Sequence, residues 1–145
     1  MKHITLFSFA LIVMLGCMSC NAQGNKKADA KTVITNKVEA AKVEVYYFHF
    51  TRRCNTCESV ESNAKKAVEA LYADKVKTGE YSFKAFNLDD ASSKAIAEKL
   101  GVGGQTLLVV CGSKKIDITD KGFMYAHNFE KIKDLIKKTI EDAKM

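Results

Sequence analysis

From residue 43 onward the apolar positions fall into two periods, one of a strand and one of a helix. The run VEVYYFHF (43–50) is apolar at nearly every position and rich in β-branched and aromatic residues. That pattern predicts a central strand covered on both faces. Cys57, Val60, Ala64, Ala67, Val68, Leu71 and Tyr72 then recur at spacings of three and four, predicting one helix to about Lys77, stopped by Gly79. YSFKAFNL (81–88) alternates as a second strand, and ASSKAIAEKL (91–100) predicts a short helix ended by Gly101. QTLLVVC (105–111) is a third strand. Gly112-Ser113, with Gly first, suits a type II′ turn into a fourth strand over KKIDIT (114–119). Asn128 can cap a last helix whose apolar positions are Phe129, Ile132, Leu135, Ile136 and Ile140. The expected class is therefore α/β, with a four-stranded mixed sheet in the order β-α-β-α-β-β-α and helices on both faces. A right-handed crossover makes the first two strands parallel neighbours, and the hairpin adds an antiparallel pair.

Upstream of this domain (41–145) the pattern changes twice. Lys2 and His3 precede Ile4 to Leu15, an almost unbroken apolar run of about a dozen residues, too short to span a bilayer but suited to a signal peptide. It ends in MLGCMSC, where a small residue directly before a cysteine resembles a bacterial lipobox. Residues 1–16 then read as a lipoprotein signal peptide and Cys17 as the lipidated residue, with Cys20 as the alternative. Residues 17–40 are polar and small, the composition of a flexible tether. The expected location is the bacterial cell envelope, lipid-anchored to a membrane, where disulfides persist.

Length and charge narrow the picture. A chain of 145 residues suffices for one domain with a full core, and no internal repeat or second domain is visible. The net charge of +6 comes mostly from lysines scattered along polar helix faces. Without a basic stripe and interleaved aromatics, no nucleic-acid partner is expected.

Candidate chemistry gathers where the first strand becomes the first helix. Cys54 and Cys57 stand three apart there, and four readings compete: a redox dithiol, half a zinc site, a haem attachment point, or two core cysteines. Haem attachment needs histidine after the second cysteine, and position 58 is Glu58. Structural zinc needs four ligands, and the sequence has no second Cys-x-x-Cys or paired histidines; His49 and Cys111 complete such a set only if the fold brings them together. A thiol at a helix N-terminus, with Arg52 and Arg53 just upstream, is stabilised as thiolate, and such settings bring a thiol from about 8.5 to roughly 3.5–7.5. Cys57 begins the inward stripe, so it is expected to be buried and slower to react. His49, five positions before Cys54, is a candidate proton shuttle because histidine titrates near neutrality. Cys111 reads as a small core hydrophobe and His127 as a loop residue.

The segments VYYFHFTRRCNTC, with its following amphipathic helix, and GVGGQTLLVVCGSKK resemble a thioredoxin-fold protein over about 100 residues. Within that superfamily the chain is similar to small exported proteins of the nitrophenyl-compound nitroreductase subunit family. The resemblance implies that Cys54 is the nucleophile and Cys57 its resolving partner, with Gln105 and Thr106 at the cis-proline position. It implies no cofactor beyond the Cys54–Cys57 disulfide, and as partners a protein or small-molecule disulfide or dithiol and a membrane redox partner. The function implied is a membrane-tethered thiol–disulfide oxidoreductase; the alternative is a non-catalytic accessory subunit or a thiophilic-metal-binding module. Three departures stand out. Asn55-Thr56 separates the cysteines in place of Gly-Pro or Pro-His. Phe48 stands where thioredoxins bury an Asp, and the chain contains no proline at all.

Overall fold

The computed structural model describes residues 42–145. The expected signal peptide, tether and lipidation residues Cys17 and Cys20 lie outside the described residues.

Strand β1, Val43–His49, holds an interior place in a four-stranded sheet of order β2-β1-β3-β4, where β2 is Tyr81–Asn87, β3 Thr106–Cys111 and β4 Lys114–Asp117. β2 runs parallel to β1, with Tyr47 opposite Ala85; β3 runs antiparallel, with Tyr47 opposite Leu107. β4 closes the edge antiparallel to β3. Alternation along β1 explains its nearly continuous apolar sequence. Val43, Val45 and Tyr47 face one side, packed with Val60, Ala64 and Val68 of helix α1 (Asn55–Leu71) and with Ile132, Ile136 and Ile140 of the C-terminal helix Phe129–Lys144. Tyr46 and Phe48 face the other side, with Leu108, Val110 and Ala97 of helix α3 (Ala91–Leu100). Helices therefore cover both faces, and strand order and directions together make the fold thioredoxin-like.

Local signals account for most boundaries. Asn128 caps the last helix by accepting the Lys131 N–H at 3.1 Å. Gly112, with φ of 60°, supplies the positive dihedral that the β3–β4 hairpin requires. Two boundaries differ from the sequence pattern. The first helix does not run unbroken to Lys77: Tyr72 leaves helical geometry, and a separate short helix α2 follows over Ala73–Lys77. The Tyr72 ring packs on Tyr81 of β2, ring centres 4.6 Å apart, so the chain bends towards the sheet. A short helix α4, Thr119–Met124, replaces the end of the expected fourth strand. It sits so close to β3 that a Cβ on Gly122 would meet Leu107 Cδ2 at 2.9 Å. The C-terminal helix is accordingly α5.

Candidate active site

The chain leaves β1 at His49 and crosses Phe50 to Arg53 before α1 begins. That crossing is held from β2 and the turn after it. The Leu88 N–H donates to the His49 carbonyl at 2.7 Å, Asn87 donates to the Thr51 hydroxyl at 2.9 Å, and the Thr51 N–H donates to Asp89 at 2.8 Å. The Thr51 backbone and hydroxyl hydrogen bonds hold the Asp89 carboxyl below its usual range.

Cys54 is the N-cap of α1, with φ −98° and ψ 158°, and its sulfur occupies the place a capping oxygen usually takes. The Cys57 N–H donates to Cys54 Sγ at 3.2 Å, and the Cys54 N–H donates to Cys57 Sγ at 3.3 Å. The two sulfurs form a disulfide, with Cα atoms 5.1 Å apart, inside the usual range for such a bridge. The pair is asymmetric in access: Cys54 is exposed, whereas Cys57 is 7% exposed as the first inward residue of α1.

Behind Cys57 lies a polar pair inside an otherwise apolar layer. Tyr47, fully buried, donates its hydroxyl to the Cys57 carbonyl at 3.0 Å and accepts from Gln105 Nε2 at 2.6 Å. Burial pushes the Tyr47 phenol up, while the Gln105 hydrogen bond and the Arg53 charge hold it back. The net shift is upward, so Tyr47 stays a donor at neutral pH. Gln105 Oε1 stands 3.8 Å from Cys57 Sγ.

The remaining expected site residues spread around this centre. Arg53 lies with its guanidinium carbon 5.9 Å from the Tyr47 ring centre and pairs with Glu61, one helical turn beyond Cys57. Arg52 is exposed. His49 is half-buried on the Tyr47 side of the sheet, its Nδ1 3.0 Å from the Phe50 carbonyl. A carbonyl only accepts, so Nδ1 is the donor in this contact. Thr106 opens β3 opposite Phe48, its hydroxyl donating to the Gly104 carbonyl at 3.0 Å. Phe48 itself points to the α3 side, away from the disulfide layer. Cys111 is free and buried, and pairs with Val43 at the other end of β1, about 20 Å from His49 at ~3.3 Å per residue. A metal set joining His49 and Cys111 is therefore ruled out by register.

Tyr47, Glu61 and His127 join the site without having stood out in the sequence. His127 follows α4, and its Nε2 comes within 3.4 Å of Thr56 Oγ1, between the two cysteines. Asn63 of α1 fixes that loop by donating to the Ala126 carbonyl at 2.8 Å. A signal for Tyr47 did exist, since a tyrosine at a core position of a central strand needs a partner for its hydroxyl. Nothing local in the sequence points His127 at Thr56.

An exposed cysteine bridged to a buried one, at the strand–helix junction of a thioredoxin-like fold, is compatible with redox function. The chain matches no protein-family model, and no curated protein matches it. Among solved structures it is similar to one described as the structure of a malarial protein, at 18% identity and TM-score 0.44, covering 67% of this chain and 96% of that one.

Proposed function

We propose that the protein is a thiol–disulfide oxidoreductase whose working group is the Cys54–Cys57 couple. The observation that carries this reading is the position of Cys54 Sγ: exposed, capping α1, and receiving the Cys57 amide N–H at 3.2 Å. Amide donors and the helix dipole there stabilise a thiolate. With a client disulfide, the Cys54 thiolate attacks one sulfur, a mixed disulfide forms, and the client's other sulfur leaves as thiolate and takes a proton. Cys57 then loses its proton, attacks Cys54 and releases the second client thiolate. Two electrons pass to the client, and the pair is left bridged. His49 Nε2 is the candidate proton carrier, and Arg52 supplies positive charge on the exposed side. Clients are protein or small-molecule disulfides, and the reducing equivalents come from a membrane redox partner.

Insulin offered with dithiothreitol tests the chemistry. Accelerated turbidity that Cys54→Ser abolishes is the expected result. No turnover, with stoichiometric uptake of a thiophilic metal such as Cu(I) by the reduced pair, would instead support an accessory or metal-binding module. Phe48 and Gln105, where an acid and a proline would stand in thioredoxins, favour that second reading.

We also propose a lipid anchor at Cys17, on the strength of the apolar run and the Gly16-Cys17 junction. In a bacterial host the full chain is expected to label with palmitate, and Cys17→Ala to lose the label. Loss with Cys20→Ala alone would move the anchor, and no labelling of the wild type would remove it.

A further inference from the structure

The hydroxyl of Tyr47 has one proton, and it goes to the Cys57 carbonyl, which can only accept. The phenolic oxygen is left as acceptor, so the Gln105 group facing it at 2.6 Å is the amide nitrogen. The orientation of Gln105 follows by chemistry: its carbonyl oxygen is turned to Cys57 Sγ, 3.8 Å away. In the disulfide that sulfur carries no hydrogen, and the approach is a bare contact. Once the couple is reduced, Cys57 becomes a thiol with a proton to donate, and rotation about its own Cβ–Sγ bond turns that proton towards Gln105 Oε1.

The geometry points to Gln105 as a residue that raises the redox potential of the couple, by accepting the S–H of reduced Cys57, with Tyr47 as the positioning residue that fixes the amide. The inference rests on the redox reading above. Reduction adds two electrons and two protons from an external dithiol and breaks the Cys54–Cys57 bond. One proton belongs to Cys57 and is held towards Gln105 Oε1; the other is released or kept by Cys54. In the reverse step the Cys57 proton leaves with the departing client thiolate, and the S–H···O contact is lost as the disulfide forms. A hydrogen bond present only in the reduced state stabilises that state, so it makes the disulfide easier to reduce. Gln105 stands half-exposed at the start of β3, reaching between Tyr47 and the sulfur; a side chain one methylene shorter cannot bridge both.

Equilibration of the full chain with glutathione and glutathione disulfide, quenched in acid and read by mass spectrometry, measures the effect. Gln105→Leu and Gln105→Asn are each expected to lower the equilibrium constant for reduction about threefold, the low end for a weak S–H donor. At 29.6 mV per tenfold that is a potential about 14 mV more negative. Tyr47→Phe shifts it the same way by less. The spectroscopic readout is the S–H stretch of the reduced protein in the infrared. The Cys57 band, assigned by its loss in Cys57→Ser, is expected to move to higher frequency in both Gln105 variants, while the bands of the other thiols, Cys111 at the far end of the sheet among them, serve as internal reference. A Cys57 band that does not move, or constants within about twofold of wild type in both variants, overturns the inference; if one variant fails to fold, the other decides. A wild-type pair that does not equilibrate with glutathione at any ratio removes the redox reading, and this inference with it.

Discussion

Iodoacetamide added to the reduced protein meets one exposed sulfur, Cys54, and one buried sulfur, Cys57. Cys54 carries the amide donor and the helix terminus, so it is expected to alkylate first, with a pH midpoint below the ordinary thiol value of about 8.5. Cys57→Ser is expected to accumulate a mixed disulfide through Cys54, and Cys54→Ser to react far more slowly. Cys111→Ser leaves both behaviours unchanged, because its thiol lies at the opposite end of the sheet. Faster alkylation of Cys57, read by peptide mapping, would reverse the two roles. At this scale the sequence was a partial guide. The burial of Cys57 follows from helical spacing alone, because its place at the head of the inward stripe does not depend on the rest of the fold. The Tyr47–Gln105 contact spans 58 positions of sequence and depends on the β1–β3 register, which alternation assigns to a face but not to a partner. Arg53 shows the limit most clearly: adjacency to Cys54 suggests an undivided positive charge, yet the side chain turns back to Glu61.

Among the elements, the long periodic ones were legible and the short ones were not. α1 and α5 repeat their apolar spacing over several turns, and Asn128 marks the start of α5 chemically. α4 spans six residues with Gly122 inside it, too short for a period and poor in propensity. Packing on Leu107 decides it, helped by Thr119, whose hydroxyl accepts the Leu107 N–H at 2.9 Å. Gly122→Ala tests the balance. Alanine favours the helix by about 1 kcal/mol, while overpacking against fully buried Leu107 costs about 1–3 kcal/mol. The expected net loss is about 1 kcal/mol, read as a lower urea midpoint with unchanged slope. A midpoint at or above wild type would mean that Leu107 swings aside freely, and that α4 is held by its own propensity.

At the scale of the whole domain, folding holds two carboxyls of the described residues below their usual range, Asp89 beside Thr51 and Glu44 in a charged cluster at the sheet. Burial alone would raise the Glu44 carboxyl, but hydrogen bonds from Lys84 and Tyr46, both 2.8 Å, and the charges of Lys84 and Lys42 outweigh it and hold it below its usual 4.5. A carboxyl depressed by folding contributes stability that is complete above its unfolded value and is lost as pH falls through the folded one. Stability is therefore expected to fall below about pH 4.5, and Glu44→Gln to flatten that limb while lowering stability at neutral pH. Urea unfolding of both proteins across acid pH checks this; parallel curves would assign the acid sensitivity to other carboxyls.

The direction of β1 has a practical consequence. The strand begins at Val43 and ends at His49, a run of about 20 Å, and the disulfide lies just beyond its far end. A linker, resin or fusion partner joined at Lys42, immediately before Val43, therefore approaches the domain from the end away from Cys54. Immobilised at that position on a sensor surface or a bead, the domain would present its working end outward. A bulky client could then be captured as a mixed disulfide without first detaching the protein from its support.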